Sequence, residues 1–179
     1  RGGLARAAAL CFPVALMLDP RILATRRDEV VESCRRRSVT ADVDAAISAA
    51  ERGAATWRRT PAHERAAILF RAAELADARA EQLAATISAE NGKPLAEALG
   101  EARRSGAIIR LSTQEGTQLY GDSLPLDANP GTGQDKVGFT LRQPVGIVVA
   151  ITPFNYPALL VLHKVGPALA SGNAVILKP

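Results

Sequence analysis

Aromatic residues and cysteines are both scarce in this chain of 179 residues, and their scarcity excludes some classes of protein. The aromatic fraction is 4%, and the cysteines are Cys11 and Cys34. Two cysteines in a chain of this length do not make a disulfide framework, and neither lies in a CxxC pair or at metal-ligand spacing from a histidine. We therefore expect neither a disulfide-stabilised module nor a metal site, and we interpret both thiols as incidental.

The chain also has no apolar run long enough to span a bilayer. Residues 7–18 are apolar but are interrupted by Pro13, and a transmembrane helix needs roughly 20 residues. Their position after Arg1 and Arg6 resembles the start of a signal peptide, but no small-residue cleavage site follows. We interpret residues 1–38, which begin with arginine rather than methionine, as a poorly ordered or divergent leader. We expect no membrane association.

Charge of one sign is concentrated near the start of the chain. The net charge is +4, and a cluster of arginines falls within residues 26–37. Such a cluster can bind nucleic acid or an anionic membrane. No aromatic residues interleave with it to stack bases, which favours a solvated face or arm. From Ser38 onward the charges are mixed, so we expect no nucleic-acid partner.

Helical signals dominate the middle of the chain, where Ala, Arg, Leu and Glu are frequent. The apolar residues recur at helical spacing, and capping residues separate the helices. A glycine after the last periodic residue can adopt the left-handed conformation that ends a helix. The predicted limits are Thr40 as the N-cap of the first helix, Pro61 to Asn91-Gly92 for the second, and Leu95 to about Leu119, ended by Gly121, for the third.

The last third of the chain carries strand and turn signals instead. Residues 137–142 alternate between apolar and other side chains, which indicates a half-exposed strand. Residues 146–151 form a β-branched run typical of a strand buried on both faces. An apolar helix follows, with Asn155 as its cap and its end near Ser171, and residues 174–177 begin a second buried strand. This order predicts a right-handed βαβ unit with two parallel strands.

The loop after the first of these strands is placed where open α/β sheets bind ligands. It comprises residues 151–157, and Lys178 lies at the end of the second strand. Both therefore open toward the same crevice. A helix N-terminus on one side and a cation on the other suit a nucleotide.

An ordered series of motifs extends over most of this chain. In the last third they are Arg142-Gln143-Pro144-Val145-Gly146, Ile151-Thr152-Pro153-Phe154-Asn155-Tyr156-Pro157, Lys164-Val165-Gly166-Pro167-Ala168-Leu169-Ala170-Ser171-Gly172-Asn173 and Leu177-Lys178-Pro179. Upstream they are Thr60-Pro61 with Glu64-Arg65, and Glu90-Asn91-Gly92-Lys93-Pro94. This series closely resembles the aldehyde dehydrogenase superfamily, and the resemblance covers about residues 39–179. It implies an α/β fold in which an N-terminal helical segment precedes the start of a Rossmann-like parallel sheet, with an oligomerisation strand at residues 124–143.

The resemblance implies roles for residues at the sheet edge. Asn155 matches the family asparagine whose side-chain amide stabilises the oxyanion of a thiohemiacetal, and losing such a donor costs about 2.7–4 kcal/mol. Without the resemblance, a helix cap is the favoured interpretation of Asn155. Lys178 matches the lysine that binds the adenine ribose hydroxyls, although it is otherwise an ordinary strand-end lysine. The wall along which the nicotinamide cofactor lies matches Ile151, Thr152, Pro153 and Phe154.

Two further residues lie on the predicted buried helix. Lys164 matches a family lysine near the cofactor, and its role stays open between structural support and a contact with the cofactor. A lysine is costly to bury without a partner, so it must reach water, a carboxylate or backbone carbonyls. We interpret His163 as a packed core residue rather than a base.

The resemblance also implies the reaction, in which an aldehyde is oxidised to a carboxylic acid with NAD or NADP. A cysteine thiolate attacks the carbonyl, hydride leaves to the nicotinamide, and water hydrolyses the thioester. In the family, that cysteine, the general-base glutamate and a glycine-containing cofactor loop all follow the position of Lys178, and Cys11 and Cys34 match none of them. We expect a fragment of a cytoplasmic homo-oligomeric enzyme, inactive by itself. The alternative is a truncated interaction module in which residues 124–143 pair with a full-length relative.

Overall fold

The computed structural model of this chain describes residues 28, 32, 42–128, 130–131 and 133–178. Thr40 and the predicted leader, with both cysteines and the arginine cluster, lie outside the described residues, except for Asp28 and Glu32. From Asp42 onward the elements are α1 (Val43–Trp57), α2 (Ala62–Ala78), α3 (Ala80–Asn91), α4 (Leu95–Gly116), β1 (Ser123–Leu124), a 3-10 turn (Leu126–Ala128), β2 (Gly138–Phe139), β3 (Ile147–Ile151), α5 (Leu159–Ala170) and β4 (Ala174–Lys178).

Small side chains hold the helices together around α4. Ala84, Ala98 and Ala102 are fully buried where α3 packs on α4, and Ala73 is fully buried where α2 packs on α4. Helices whose contact surfaces are built from alanine can approach each other closely. Helices α2 and α3 therefore pack on α4, and α5 packs against α2 and α4 as well.

The starts and stops of the first helices agree only in part with the sequence-based limits. Asp42 caps α1, because its side chain accepts a 2.9 Å hydrogen bond from the backbone N–H of Ala45. Gly92 ends α3 in the left-handed conformation, with φ of 77°, as predicted. The single helix predicted between Pro61 and Asn91 is wrong. It is two helices, because the backbone leaves the helical conformation at Arg79 (φ −109°, ψ 15°).

Helix α4 ends earlier than predicted. Its last residue is Gly116, and Thr117 follows as the C-cap, whereas the expected stop was Gly121. Gly121 instead lies where two backbone segments approach, since a Cβ at this position would be 1.6 Å from the carbonyl oxygen of Thr140. The residue type at position 121 is thus set by the hairpin rather than by the helix.

Strands β3 and β4 are parallel, and α5 connects them, which confirms the predicted βαβ arrangement. The register runs from Ile147 opposite Ala174 to Ile151 opposite Lys178. Helix α1 covers one face of this pair, with Val43 packed in the same core cluster as the strand residues. This register places the carboxyl ends of both strands side by side.

The prediction that β3 is buried on both faces is wrong for the described chain. Ala150 is buried, but the other residues of β3 are only half-buried. Burial on both faces needs a covered sheet of several strands, and among the described residues β3 pairs with β4 alone. A β-branched run indicates that a strand is suited to burial. Whether it is buried depends on other segments of the chain that cover it.

The predicted half-exposed strand near residue 139 is shorter and more exposed than its alternation suggests. β2 has two residues and pairs antiparallel with β1. The side chains of Val137, Phe139 and Leu141 are 89%, 66% and 70% exposed. Three apolar side chains in a row along this segment therefore have no cover within the described part of the chain.

Two helical glycines provide a matched test of this packing. In Gly53→Ala the new methyl group meets nothing within 4 Å, so we expect the free energy of unfolding to rise by up to about 1 kcal/mol from helix propensity. In Gly116→Ala the methyl group would lie 2.5 Å from Cβ of Ala170, so we expect a loss of about 1–3 kcal/mol. Urea unfolding of the two variants should move in opposite directions. Equal shifts would contradict the packing of α4 on α5.

Candidate functional site

The carboxyl ends of β3 and β4 form the edge at which the predicted site residues meet. Thr152 continues the ladder after β3, because its backbone N–H donates a 3.1 Å hydrogen bond to the carbonyl of Lys178. The Thr152 hydroxyl is 3.4 Å from the same carbonyl, and Thr152 is only 3% exposed. Ile151 lies opposite Lys178 in the register. Ile151, Thr152 and Lys178 are therefore brought together as the sequence predicts.

The loop that follows presents its side chains outward. Pro153, Phe154, Asn155 and Tyr156 are all exposed, and Phe154 is 53% exposed. Their backbone forms turns between Thr152 and the start of α5. A ligand that lies along this edge can therefore contact the side chains of residues 153–155 from solvent.

The backbone of this loop is held from the junction between α3 and α4. The Asn91 side-chain amide donates a 2.6 Å hydrogen bond to the carbonyl of Phe154. The Lys93 ammonium donates a 2.7 Å hydrogen bond to the carbonyl of Asn155. Two consecutive peptide carbonyls are thus fixed from one side, which leaves the Asn155 side chain at the exposed surface.

Asn155 is not the cap of the following helix. Helix α5 begins at Leu159, and its N-cap residue, Ala158, offers no side-chain hydrogen bond. The first free N–H groups of α5 bind Glu101 instead. Its Oε1 atom accepts hydrogen bonds of 2.8 Å from Ala158 and 3.0 Å from Leu159. A carboxylate in this position also suits the positive end of the helix dipole.

Glu101 is completely buried, and Lys93 neutralises it. The side chain of Glu101 is 0% exposed and that of Lys93 is 10% exposed, and their Oε2 and Nζ atoms are 2.6 Å apart. Burial by itself raises the pKa of Glu101. The hydrogen bond from Lys93, the N–H groups of Leu159 and Ala158, and the Lys93 charge more than offset this effect, so the pKa lies below its ordinary value.

The direction of this pKa shift predicts a loss of stability in acid. A carboxyl whose pKa is lower in the folded chain stabilises the fold above its unfolded pKa, and this stabilisation is lost as the pH falls through the folded pKa. We expect the wild type to lose stability below the ordinary glutamate pKa of about 4.3. Glu101→Gln should lose less stability over the same acid range. Identical pH profiles of urea unfolding for the two proteins would contradict this account.

Sequence reasoning misses Lys93 and Glu101 as site residues. Lys93 is recognisable only as part of a matched motif, and Glu101 belongs to none of the motifs. A signal for Glu101 exists, because it lies on the buried stripe of α4 between Ala98 and Ser105, where helical spacing predicts an apolar residue. A charged residue on such a stripe indicates a buried partner.

The two residues predicted on α5 differ in their surroundings. Lys164 is half-buried. His163 is exposed, so its interpretation as a packed core residue is wrong. The helix is mostly apolar, so its composition alone does not show that position 163 is exposed. Neither side chain is brought to the loop by a hydrogen bond that we observe.

Two other kinds of functional feature were sought among the described residues. Among them, no group of three His, Cys, Asp or Glu side chains is arranged to hold a metal ion. Over the same ranges, no helix has the length and apolar character needed to cross a bilayer. The predicted site residues converge on the sheet edge with its loop and strand-end lysine, which makes this edge the candidate site.

A parallel strand pair with its connecting helix and an exposed loop at the carboxyl edge defines an α/β protein of the kind that binds ligands at that edge. The chain belongs to the aldehyde dehydrogenase family, whose family model matches residues 23–179. This match includes part of the segment assigned to the leader. The boundaries at residue 39 and of the 124–143 insert stay predictions.

Curated relatives and solved structures agree with this membership. The NADP-dependent succinate-semialdehyde dehydrogenase of Escherichia coli is 42% identical over 135 residues, which are 75% of this chain and 27% of that protein. The 3-sulfolactaldehyde dehydrogenase of Priestia aryabhattai is 43% identical over 117 residues, which are 65% and 24% of the two chains. The glyceraldehyde-3-phosphate dehydrogenase of Bacillus halodurans, solved with NADP, superposes with a TM-score of 0.70 at 38% identity and covers 74% of this chain and 28% of its own. The chain thus spans about a quarter of the length of the curated relatives that it matches.

Proposed function

We propose that this sequence is part of an enzyme that oxidises an aldehyde to a carboxylic acid with NAD or NADP. The observation that carries the proposal is the position of Asn155, which is exposed on a loop whose backbone is fixed at the carboxyl edge of β3, beside the end of β4. Family membership and NADP-linked relatives support the reaction class and the cofactor. We also propose a cytoplasmic location, on the basis of the resemblance to this family.

In this proposal Asn155 acts on charge that develops at the substrate carbonyl. A thiolate that adds to an aldehyde carbonyl leaves an oxyanion, and the amide N–H of Asn155 donates a hydrogen bond to it. A neutral donor that is held in place before the reaction needs little reorganisation, which is the reason that such donors lower the barrier. The hydrogen bond from the Lys93 ammonium to the Asn155 carbonyl holds the backbone from which this side chain projects.

The residues at the edge fit a dinucleotide. Pro153 and Phe154 offer an exposed apolar surface, and Lys178 offers a donor for ribose hydroxyls at the neighbouring strand end. When bound there, the nicotinamide supplies the acceptor for the hydride. The part of this chain is to hold the cofactor, to orient the carbonyl and to donate a hydrogen bond to its oxygen.

The test is an assay of the natural full-length polypeptide that carries this sequence. The purified protein is incubated with NAD or NADP and with a panel of aldehydes, some of which also carry an anionic group. The panel includes the semialdehydes that appear in the names of its relatives. We expect cofactor reduction that depends on the aldehyde and saturates with it. A pure polypeptide that binds cofactor but reduces none with any aldehyde of the panel would contradict the proposed function.

Lys178→Met should weaken cofactor binding without unfolding the protein. A hydrogen bond to a charged group is worth about 1.5–3 kcal/mol, so we expect the Kd for the cofactor to rise about 10- to 150-fold. Calorimetric titration of the natural polypeptide measures this change, with Arg71→Met, which removes an exposed cation from α2, as the matched control. Equal Kd values for the wild type and Lys178→Met would remove Lys178 from the cofactor site.

A second candidate is an interaction module, and the exposed side chains around β2 favour it. Val137, Phe139 and Leu141 lie on or beside β2, whose edge opposite β1 has no partner among the described residues, and such an edge promotes pairing with another chain. The same surface suits homo-oligomer formation by the full-length enzyme. Co-purification of the 179 residues with a full-length relative, lost in Phe139→Glu, would support the module. A stable monomer in sedimentation would contradict it.

A further inference from the structure

The ion pair between Lys93 and Glu101 is directed at one segment of the chain. Besides its 2.6 Å contact with Glu101, the Lys93 ammonium binds the carbonyl of Asn155 and lies 3.9 Å from the centre of the Tyr156 ring. The other carboxylate oxygen of Glu101 accepts the backbone N–H groups of residues 158 and 159. The observed partners of the two charged groups, apart from each other, thus lie within residues 155–159.

Stability alone is a poor reason for such a pair. A buried ion pair contributes little compared with well-packed apolar residues of similar volume, because both charges lose their hydration. What the pair supplies is geometry. Glu101 fixes the first N–H groups of α5 at one end of the loop, and Lys93 fixes the carbonyl of Asn155 four residues before Leu159.

We propose that Lys93 and Glu101 are positioning residues for Asn155, and that they hold residues 155–159 so that the Asn155 side chain projects from a fixed backbone. The catalytic meaning of this role rests on the proposed function. The hold on the loop does not, because it follows from hydrogen bonds within this chain.

Position matters for a donor of this kind. A donor stabilises an oxyanion only when it lies about 2.7–3.1 Å from the place that the oxygen will occupy. A displacement of about 1 Å in a catalytic arrangement can cost about 100-fold in rate. Without the hydrogen bond from Lys93, the Asn155 side chain is still present, but its backbone is no longer held in one position.

Hydrogen–deuterium exchange of the natural full-length polypeptide tests the hold directly. In Lys93→Met we expect exchange of the peptide covering residues 154–160 to rise at least about tenfold more than that of the α2 peptide, the equivalent of one lost hydrogen bond beyond any change in global stability. Arg71→Met is the matched control, because Arg71 also pairs with a glutamate, at 2.8 Å, but on an exposed face of α2. Unchanged exchange in the loop of Lys93→Met, or an equal rise throughout the chain, would overturn the proposal.

Steady-state kinetics separate positioning from general support of the fold. We expect Lys93→Met to lower kcat at least about tenfold with a smaller change in the KM for the aldehyde, and Lys93→Arg, which keeps the charge, to recover part of the loss. If Lys93→Met does not fold, Glu101→Gln, which keeps the shape of the side chain, decides by the same two readouts. If the wild type oxidises no aldehyde, the proposed function fails, and the exchange data alone support or overturn the hold on the loop. A KM effect without a kcat effect would overturn positioning of Asn155.

Discussion

Replacement of Asn155 by alanine in the natural full-length polypeptide is expected to lower kcat about 100- to 1000-fold, because one donor to the developing oxyanion is lost. The side chain is exposed, and Lys93 contacts the backbone carbonyl rather than the amide. The free energy of unfolding should therefore change by no more than about 0.5 kcal/mol. Kinetics and urea unfolding of one purified variant measure both quantities.

The control for this variant is Gln82→Ala, which removes an exposed amide from α3, away from the loop. It should leave kcat and stability unchanged. Asn155→Asp places an anion near the oxyanion and should be no more active than the alanine variant. An Asn155→Ala enzyme with wild-type kcat would show that the oxyanion is stabilised by other groups.

Lys93→Met is expected to lower the free energy of unfolding by about 3–5 kcal/mol, because removal of one partner leaves the other charge buried and uncompensated. Glu101, at 0% exposed, is the charge that would be left. The control Arg71→Met should cost no more than about 1 kcal/mol, since its ion pair is exposed to solvent.

The double variant Lys93→Met with Glu101→Gln distinguishes a buried charge from lost packing. The glutamine oxygen can still accept the N–H groups of Ala158 and Leu159, but no charge remains unpaired. We expect the double variant to be more stable than Lys93→Met alone. A double variant whose loss equals the sum of the two single losses would contradict the coupling.

The βαβ unit was predictable because its signals are local. The β-branched run of β3, the glycine that follows α5 and the strand beginning at Ala174 are short-range features that fix the elements and their order. The connection makes β3 and β4 parallel, and their observed register places the loop beside Lys178. Sequence reasoning therefore located the edge correctly.

The hydrogen bonds that support the loop could not be predicted from the sequence around it. The acceptor for the first N–H groups of α5 comes from Glu101, which is 57 residues away from Ala158 in the chain. The local pattern predicts Asn155 as the cap of α5, but the observed acceptor is the distant carboxylate of Glu101. Capping by a distant side chain depends on how α4 packs against α5, which no local pattern encodes.

The short hairpin illustrates the same limit. Alternation around Phe139 predicts a strand, but the length of a strand depends on its partner, and β1 pairs over only two residues. Burial of Phe139 likewise depends on what covers it. The alternation of side chains predicts the extended conformation of this segment. Its pairing and its burial depend on other segments that contact it.

A crystal structure of the natural full-length polypeptide with NAD or NADP bound tests the central claim most directly. The account predicts that a ribose hydroxyl lies within about 2.7–3.2 Å of Nζ of Lys178 and that the nicotinamide end lies along residues 151–154, on the side of Asn155. A cofactor bound away from the carboxyl ends of β3 and β4 would contradict the assignment of this edge as the functional site.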